Sequence, residues 1–205
     1  MKIETQNGQG QAAAPTKLPM VNENLYNIID EIVEIGQKAE LTFGSLNAEQ
    51  INWKPSADGW SVGQCFEHLI KANSLFFPEL EKIASEKRKN SFLENYSPLS
   101  SFFGNLLVKS LQKDGRKFKA PSKAIVPPSE IDAHIVELFA AHQSELIERV
   151  KRTEKADWQK TKITSPFMKL ITYTLADGYR VVIEHERRHI RQAERVVQAD
   201  NFPTN

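Results

Sequence analysis

The chain has 205 residues, 40% of them hydrophobic and 26% charged, enough for one sizeable core. Lys and Arg number 27 against 26 Asp and Glu, and the resulting net charge of +1 excludes a global electrostatic pull toward nucleic acid or an anionic membrane. The single cysteine, Cys65, excludes an internal disulfide and a multi-cysteine zinc cluster, and it fits a reducing, cytoplasmic compartment.

Residues 1–20 are rich in Gln, Gly and Ala and hold no apolar run of signal-peptide length. They are expected to form a flexible N-terminal tail, followed by a single domain over 21–200 and a C-terminal tail at 201–205. No stretch reaches the roughly 20 apolar residues that span a bilayer, since Leu99 to Leu111 is short and interrupted by Ser, Asn and Lys.

In the first predicted helix, Asn22 to Phe43, the residues Leu25, Ile28, Ile29, Ile32, Ile35 and Ala39 recur at three- and four-residue spacing. A polar connector with Asn47, Pro55, Asp58 and Gly59 follows. Ser61 and Gln64 then form a capping-box pattern that starts a second helix, with Trp60 placed as a hydrophobic staple opposite Cys65. Its stripe runs through Leu69, Phe76, Leu80 and Ile83 to a charged end at Glu86 to Lys89. The stretch Asn90 to Pro128, with four prolines and two glycines, is too long for an ordinary helix connection. Phe102 to Leu107 is expected to form a short amphipathic helix there, which the neutral net charge favours as a cap on one end of a bundle over a membrane-surface helix.

Ser129 and Asp132 signal the start of a third helix, which continues through Ile131, Ile135, Leu138, Phe139, His142, Leu146 and Val150 to about Thr153. Glu154 to Leu170 reads as a polar connector. Thr172 or Thr174 caps a fourth helix through Leu175, Tyr179, Val182, Ala193 and Val196 to about Ala199. With no useful strand alternation and no internal repeat, the pattern predicts an all-α fold, a four-helix bundle with a long insert between helices 2 and 3. Such bundles build metal and ligand sites from side chains that point inward from facing helices.

The fourth helix carries His185-Glu186-Arg187-Arg188-His189. A four-residue separation places the two imidazoles about 40° apart around the axis and about 6 Å along it, so both reach one metal ion. They share a face with Leu175, Val182, Ala193 and Val196, whereas Arg187, Arg188, Arg191 and Arg195 fall on the opposite side. Two inward imidazoles without acceptors are costly, and a divalent metal bound to their neutral forms removes that cost; hydrogen bonding of both to neighbouring helices is the bland alternative. The same residues match the HExxH pattern of metalloproteases, but Gln192 and Arg195 stand where a metzincin continuation needs Gly and His. Glu194 points outward, and no sheet is predicted to hold a peptide. A third ligand is drawn from His68, His134 or His142, and Cys65 is a further donor only if it is not simply a small apolar core residue.

The segments Leu46-Asn47-Ala48-Glu49-Gln50-Ile51-Asn52-Trp53-Lys54-Pro55, Trp60-Ser61-Val62-Gly63-Gln64-Cys65-Phe66-Glu67-His68-Leu69 and His185-Glu186-Arg187-Arg188-His189-Ile190-Arg191-Gln192 resemble the DinB-like (DinB/YfiT) superfamily in their W-S-x-x-(E/Q)…H-L and H-x-x-x-H-x-x-Q motifs. The resemblance extends from about the first helix to the end of the fourth. It implies a four-helix bundle and a divalent metal held by His68, His185 and His189. Similar proteins include thiol-dependent S-transferases, a few metal-dependent hydrolases or isomerases, and many with no known activity.

A three-histidine site with an open coordination position leads to the expectation of a metal-dependent enzyme acting on a small-molecule substrate. If water occupies that position the chemistry is hydrolysis, and if a low-molecular-weight thiol does, S-transfer. Glu186 is the candidate base and Gln192 a candidate hydrogen-bond partner behind the ligands. Zn or Ni leads as the metal, with Fe, Cu or Mn also admissible. The alternative is a non-catalytic metal-binding or dimeric interaction module of the same fold. Neither nucleic acid nor membrane is expected as a partner, and a homodimer is compatible with the wide apolar faces. Trp53, Trp60 and Trp158 are expected to pack over bundle ends rather than line a site. The arginines of helix 4, with Lys160, Lys162 and Lys169, are expected to form a solvated face.

Overall fold

The computed structural model describes residues 23–85, 88–97, 100–113 and 125–204; the expected tail over 1–20 lies outside them. The first helix, α1 (Glu23–Phe43), buries Leu25, Ile28, Ile32, Ile35, Ala39 and Phe43, the stripe its spacing predicts. The connector that follows contains a short helix, α2 (Ala48–Asn52), with a full capping box between Asn47 and Gln50. Five residues with two buried are too few for a periodic signal, which is why the segment reads as a polar connector.

The second predicted helix begins where Ser61 and Gln64 place it, but it is divided into α3 (Val62–Ser74) and α4 (Phe77–Ala84). Pro78 is the reason. It sits in the first turn of α4, where its missing N–H costs nothing, whereas in an unbroken helix its ring would press on the Ser74 carbonyl. The start of α3 lies tightly against its neighbours: a Cβ on Gly63 would stand 2.8 Å from Ile51 and 2.9 Å from Ile131.

The long insert is more ordered than a loop. It holds α5 (Phe92–Tyr96), capped by Ser91 and Glu94, and α6 (Ser100–Gln112), twice the length expected from Phe102 to Leu107. Instead of covering a bundle end, α6 lies along the C-terminal helix and the small ribbon. Arg88 fixes the front of the insert, bonding Glu79, Glu94 and the Lys162 carbonyl.

Helix α7 (Ile135–Lys151) starts five residues later than a cap at Ser129 suggests. Residues 129–134 are not helical, and Asn52 grips them by donating to the Ile131 carbonyl and accepting from the Ile131 N–H. Leu138, placed in the apolar stripe by spacing, is half exposed. The connector before the last helix contains an antiparallel ribbon of β1 (Lys162–Thr164) and β2 (Thr172–Thr174), with Ile163 opposite Tyr173. Three-residue strands are too short to show alternation, so none is expected from the residue pattern. Thr174 rather than Thr172 caps α8 (Leu175–Val197), and Thr172 instead bonds Ser100 at the start of α6.

Four long helices make a closed circuit of contacts, α1 on α7, α7 on α3, α3 on α8 and α8 on α1, around a continuous apolar core. The fold is all-α apart from the ribbon. Phe202 packs edge-on to Trp53, and Gln50 donates to the Pro203 carbonyl, so these two residues of the expected C-terminal tail are docked. Among the described residues no helix is long and apolar enough to cross a membrane.

Candidate metal centre

The interface of α3 and α8 brings His68, His185 and His189 together, with one ring nitrogen from each lying within 4.8 Å of the others. The capped start of α3 sets the height of His68, two turns in. The Thr174 cap and the buried stripe Val182, Glu186, His189, Ala193 and Val196 set the rotation of α8. His68 and His189 are buried, and His185 is half-buried at the border of the stripe.

Hydrogen bonding selects the state of His68. Its Nδ1 lies 2.7 Å from the Ile125 carbonyl, which can only accept, so Nδ1 carries the proton and Nε2 presents a lone pair to the cluster. That Nε2 stands 3.1 Å from His185 Nε2. The Nδ1 of His189 is buried without a hydrogen-bond partner. Burial lowers all three imidazole pKa values: His185 is pushed down to about 3 and His189 well below its ordinary value, both lowered further by neighbouring histidines and by the Arg188 guanidinium. The cluster is therefore neutral at physiological pH, the form in which imidazole binds metals. Three converging nitrogens, one with its lone pair fixed inward, and an orphaned buried nitrogen beside them fit a divalent cation.

The other donors considered from sequence lie elsewhere. His134 is exposed and faces Glu137, while His142 is buried and stacked on Phe77. Cys65 belongs to the apolar core, and burial pushes its thiol up to about 12. The third histidine thus comes from a helix upstream of HERRH, unlike the metzincin arrangement with its third histidine further along the same motif.

Glu186 occupies the centre of the buried stripe and stands outside the three-nitrogen group. Asn73 donates to its Oε1 at 2.6 Å and Gln143 to its Oε2 at 3.0 Å, so the carboxylate ties α8 to α3 and α7. Burial raises its pKa to about 7, against the opposing pull of the two amides. Gln192 lies close enough to His189 to raise that ring's proton affinity slightly against the effect of burial.

Sequence reasoning misses three neighbours of this centre. Ile125, inside the insert, supplies the carbonyl for His68. Arg188, placed opposite the histidines by phasing, donates to the Lys113 carbonyl at the end of α6 and acts on His185 and His189. Trp60 stacks on His189 at 5.6 Å and 18° and leans on His68 at 4.9 Å, although an end-packing role is expected for it. Trp53 and Trp158 do pack structurally, on Phe202 and Tyr179. Basic residues near α8 are matched by partners: Arg187 bonds Glu31 and Glu184, and Lys160 bonds Asp157.

A family model described as the DinB superfamily matches residues 32–193, well over half of the sequence, and the chain belongs to that superfamily. No curated protein and no solved structure matches it.

Proposed function

We propose that this chain is a metal-dependent enzyme of the DinB superfamily, with His68, His185 and His189 as the ligands of a divalent ion and a small molecule as substrate. The observation that carries the proposal is the convergence of the three imidazoles with His68 fixed by Ile125 as a lone-pair donor. Three protein nitrogens leave a coordination position open, the feature that separates catalytic sites from closed structural ones.

When bound, such an ion supplies Lewis acidity that favours the deprotonated form of a water or a thiol, the nucleophiles of hydrolysis and of S-transfer. The residues of the chain hold the geometry for it. Ile125 keeps the proton of His68 on Nδ1, and Arg188 disfavours protonation of His185 and His189. Glu186, wholly buried with both oxygens held by amides, acts as the brace that sets the rotation of α8; this position supports bracing better than the base role expected from its sequence context.

Metal content by mass spectrometry on tag-free protein tests the site. About one divalent metal per chain is expected, lost when all three histidines are replaced by Ala. Thiol-transfer and hydrolysis substrates are then screened on the loaded form. Absence of metal after reconstitution with Zn and Ni overturns the proposal, and a tightly loaded protein without turnover on either substrate class turns it toward a stabilising, non-catalytic site.

A further inference from the structure

We propose that Trp60 is a positioning residue of the metal centre: its indole holds the rings of His68 and His189, from two different helices, in the orientation that lets both bind one ion. The inference rests on the three-histidine site proposed above. Ligation by three imidazoles does not by itself call for an aromatic residue, yet Trp60, the tryptophan of the W-S motif, contacts two of the three rings. It lies nearly parallel to His189, 18° apart at 5.6 Å between centroids, and tilted against His68, 58° apart at 4.9 Å.

The backbone explains why the ring is aimed there. Residues 56–59 close a turn through the Gly59 N–H and the Ser56 carbonyl, delivering the chain to Trp60. The next residue, Ser61, is buried and joined to Gln64 in a reciprocal cap, and Gln64 also donates to the Pro128 carbonyl. With α3 held at its first turn, the indole has little freedom to leave the histidines.

Physical consequences follow from the stacked geometry. An imidazole that donates to a divalent cation becomes electron-poor, and the electron-rich face of an indole stabilises it. A ring clamped between indole and helix also loses less rotational freedom on binding, so the bound arrangement is formed in advance. A half-buried indole over two ligands further limits how many waters reach the ion, favouring low coordination numbers.

The experiment compares full-length wild type, W60A and W60F by competition with a chromophoric chelator for Zn(II) and by tryptophan emission during Ni(II) titration. W60A is expected to bind Zn(II) about 10–100-fold more weakly, the usual range for residues that orient metal ligands. W60F, which restores an aromatic face, is expected to recover most of that affinity. Wild-type emission is expected to fall on Ni(II) binding, with the loss strongly reduced in W60F because Trp53 and Trp158 pack elsewhere. Circular dichroism identifies any variant that fails to fold, and W60F then carries the comparison through its emission. Wild-type affinity in W60A, or an undiminished Ni(II) response in W60F, overturns the inference. Absence of metal binding by the wild type itself marks failure of the underlying site instead.

Discussion

Two amide N–H groups, from Asn73 and Gln143, point at the Glu186 carboxylate in a region without solvent. Deleting the carboxylate orphans both, at roughly 1–3 kcal/mol for each buried donor, so E186A is expected to lower unfolding stability by at least about 2 kcal/mol. E186Q is expected to remain within about 1 kcal/mol of wild type and to keep its metal, because Gln143 Oε1 is buried without a partner and can accept from the new amide after a flip. Urea unfolding measures both, and equal losses in the two variants would contradict the brace. A second residue-scale prediction concerns acid. Burial lowers the pKa of His142 from 6.5 to about 4, so the unfolded chain binds more protons than the folded one between those values. Stability contributed by neutral His142 is complete above about pH 6.5 and is lost as pH falls toward 4. H142L is expected to lose about 2 kcal/mol less than wild type between pH 7 and 4.5, measured by urea unfolding at both; an identical pH dependence would remove His142 from the acid response. His185 and His189 were legible as inward-facing because helix periodicity alone sets their angle. Asn73 and Gln143 were not, since a buried carboxylate calls for donors without saying which helix supplies them. The spacing of Val182, Glu186, His189, Ala193 and Val196 does, however, place Glu186 in the seam.

Capping chemistry at Ser61 and Thr174 sets the starts of α3 and α8, because the side chain and the N–H it accepts from are only three residues apart. Elements defined by distant contacts were less legible. Helix α6 depends on Gly104, whose position against α8 leaves no space for a methyl group: a Cβ would lie 2.6 Å from Asp177 Oδ2 and 2.7 Å from Asp177 Cβ. The Asp177 side chain is held by the Thr174 hydroxyl and yields little. G104A gains about 1 kcal/mol of helix propensity but meets roughly 1–3 kcal/mol of overpacking, so net destabilisation is expected. Greater exposure of α6 in hydrogen exchange should accompany it. A variant as stable as wild type, with unchanged exchange, would show that the contact is soft. The late start of α7 has a similar origin: Asn52 holds the Ile131 backbone outside the helix, overriding the local cap signal of Ser129 and Asp132.

At the scale of the molecule, the three imidazoles that could hold an ion arise from α3 and α8, so binding there would join two helices that are far apart in sequence. An ion that binds only the folded chain stabilises it by about 2.7 kcal/mol at a free concentration 100 times Kd. For a chain of this length that corresponds to roughly 5–10 °C in Tm. Calorimetry with and without Zn(II) is expected to show this rise in wild type and none in the H68A/H185A/H189A variant. An equal shift in both would place the binding elsewhere.

Periodicity, caps and the HERRH spacing by themselves determined the all-α class, the paths of the long helices and the inward direction of two histidines, because each depends on residues within a few positions of one another. The family motifs added His68. Tertiary structure alone decided that α6 runs along α8, that Ile125 sets the proton of His68, that Glu186 braces three helices and that Trp60 lies over His68 and His189. Each of these joins segments dozens of residues apart, and their meeting depends on how the core packs, which no local pattern encodes.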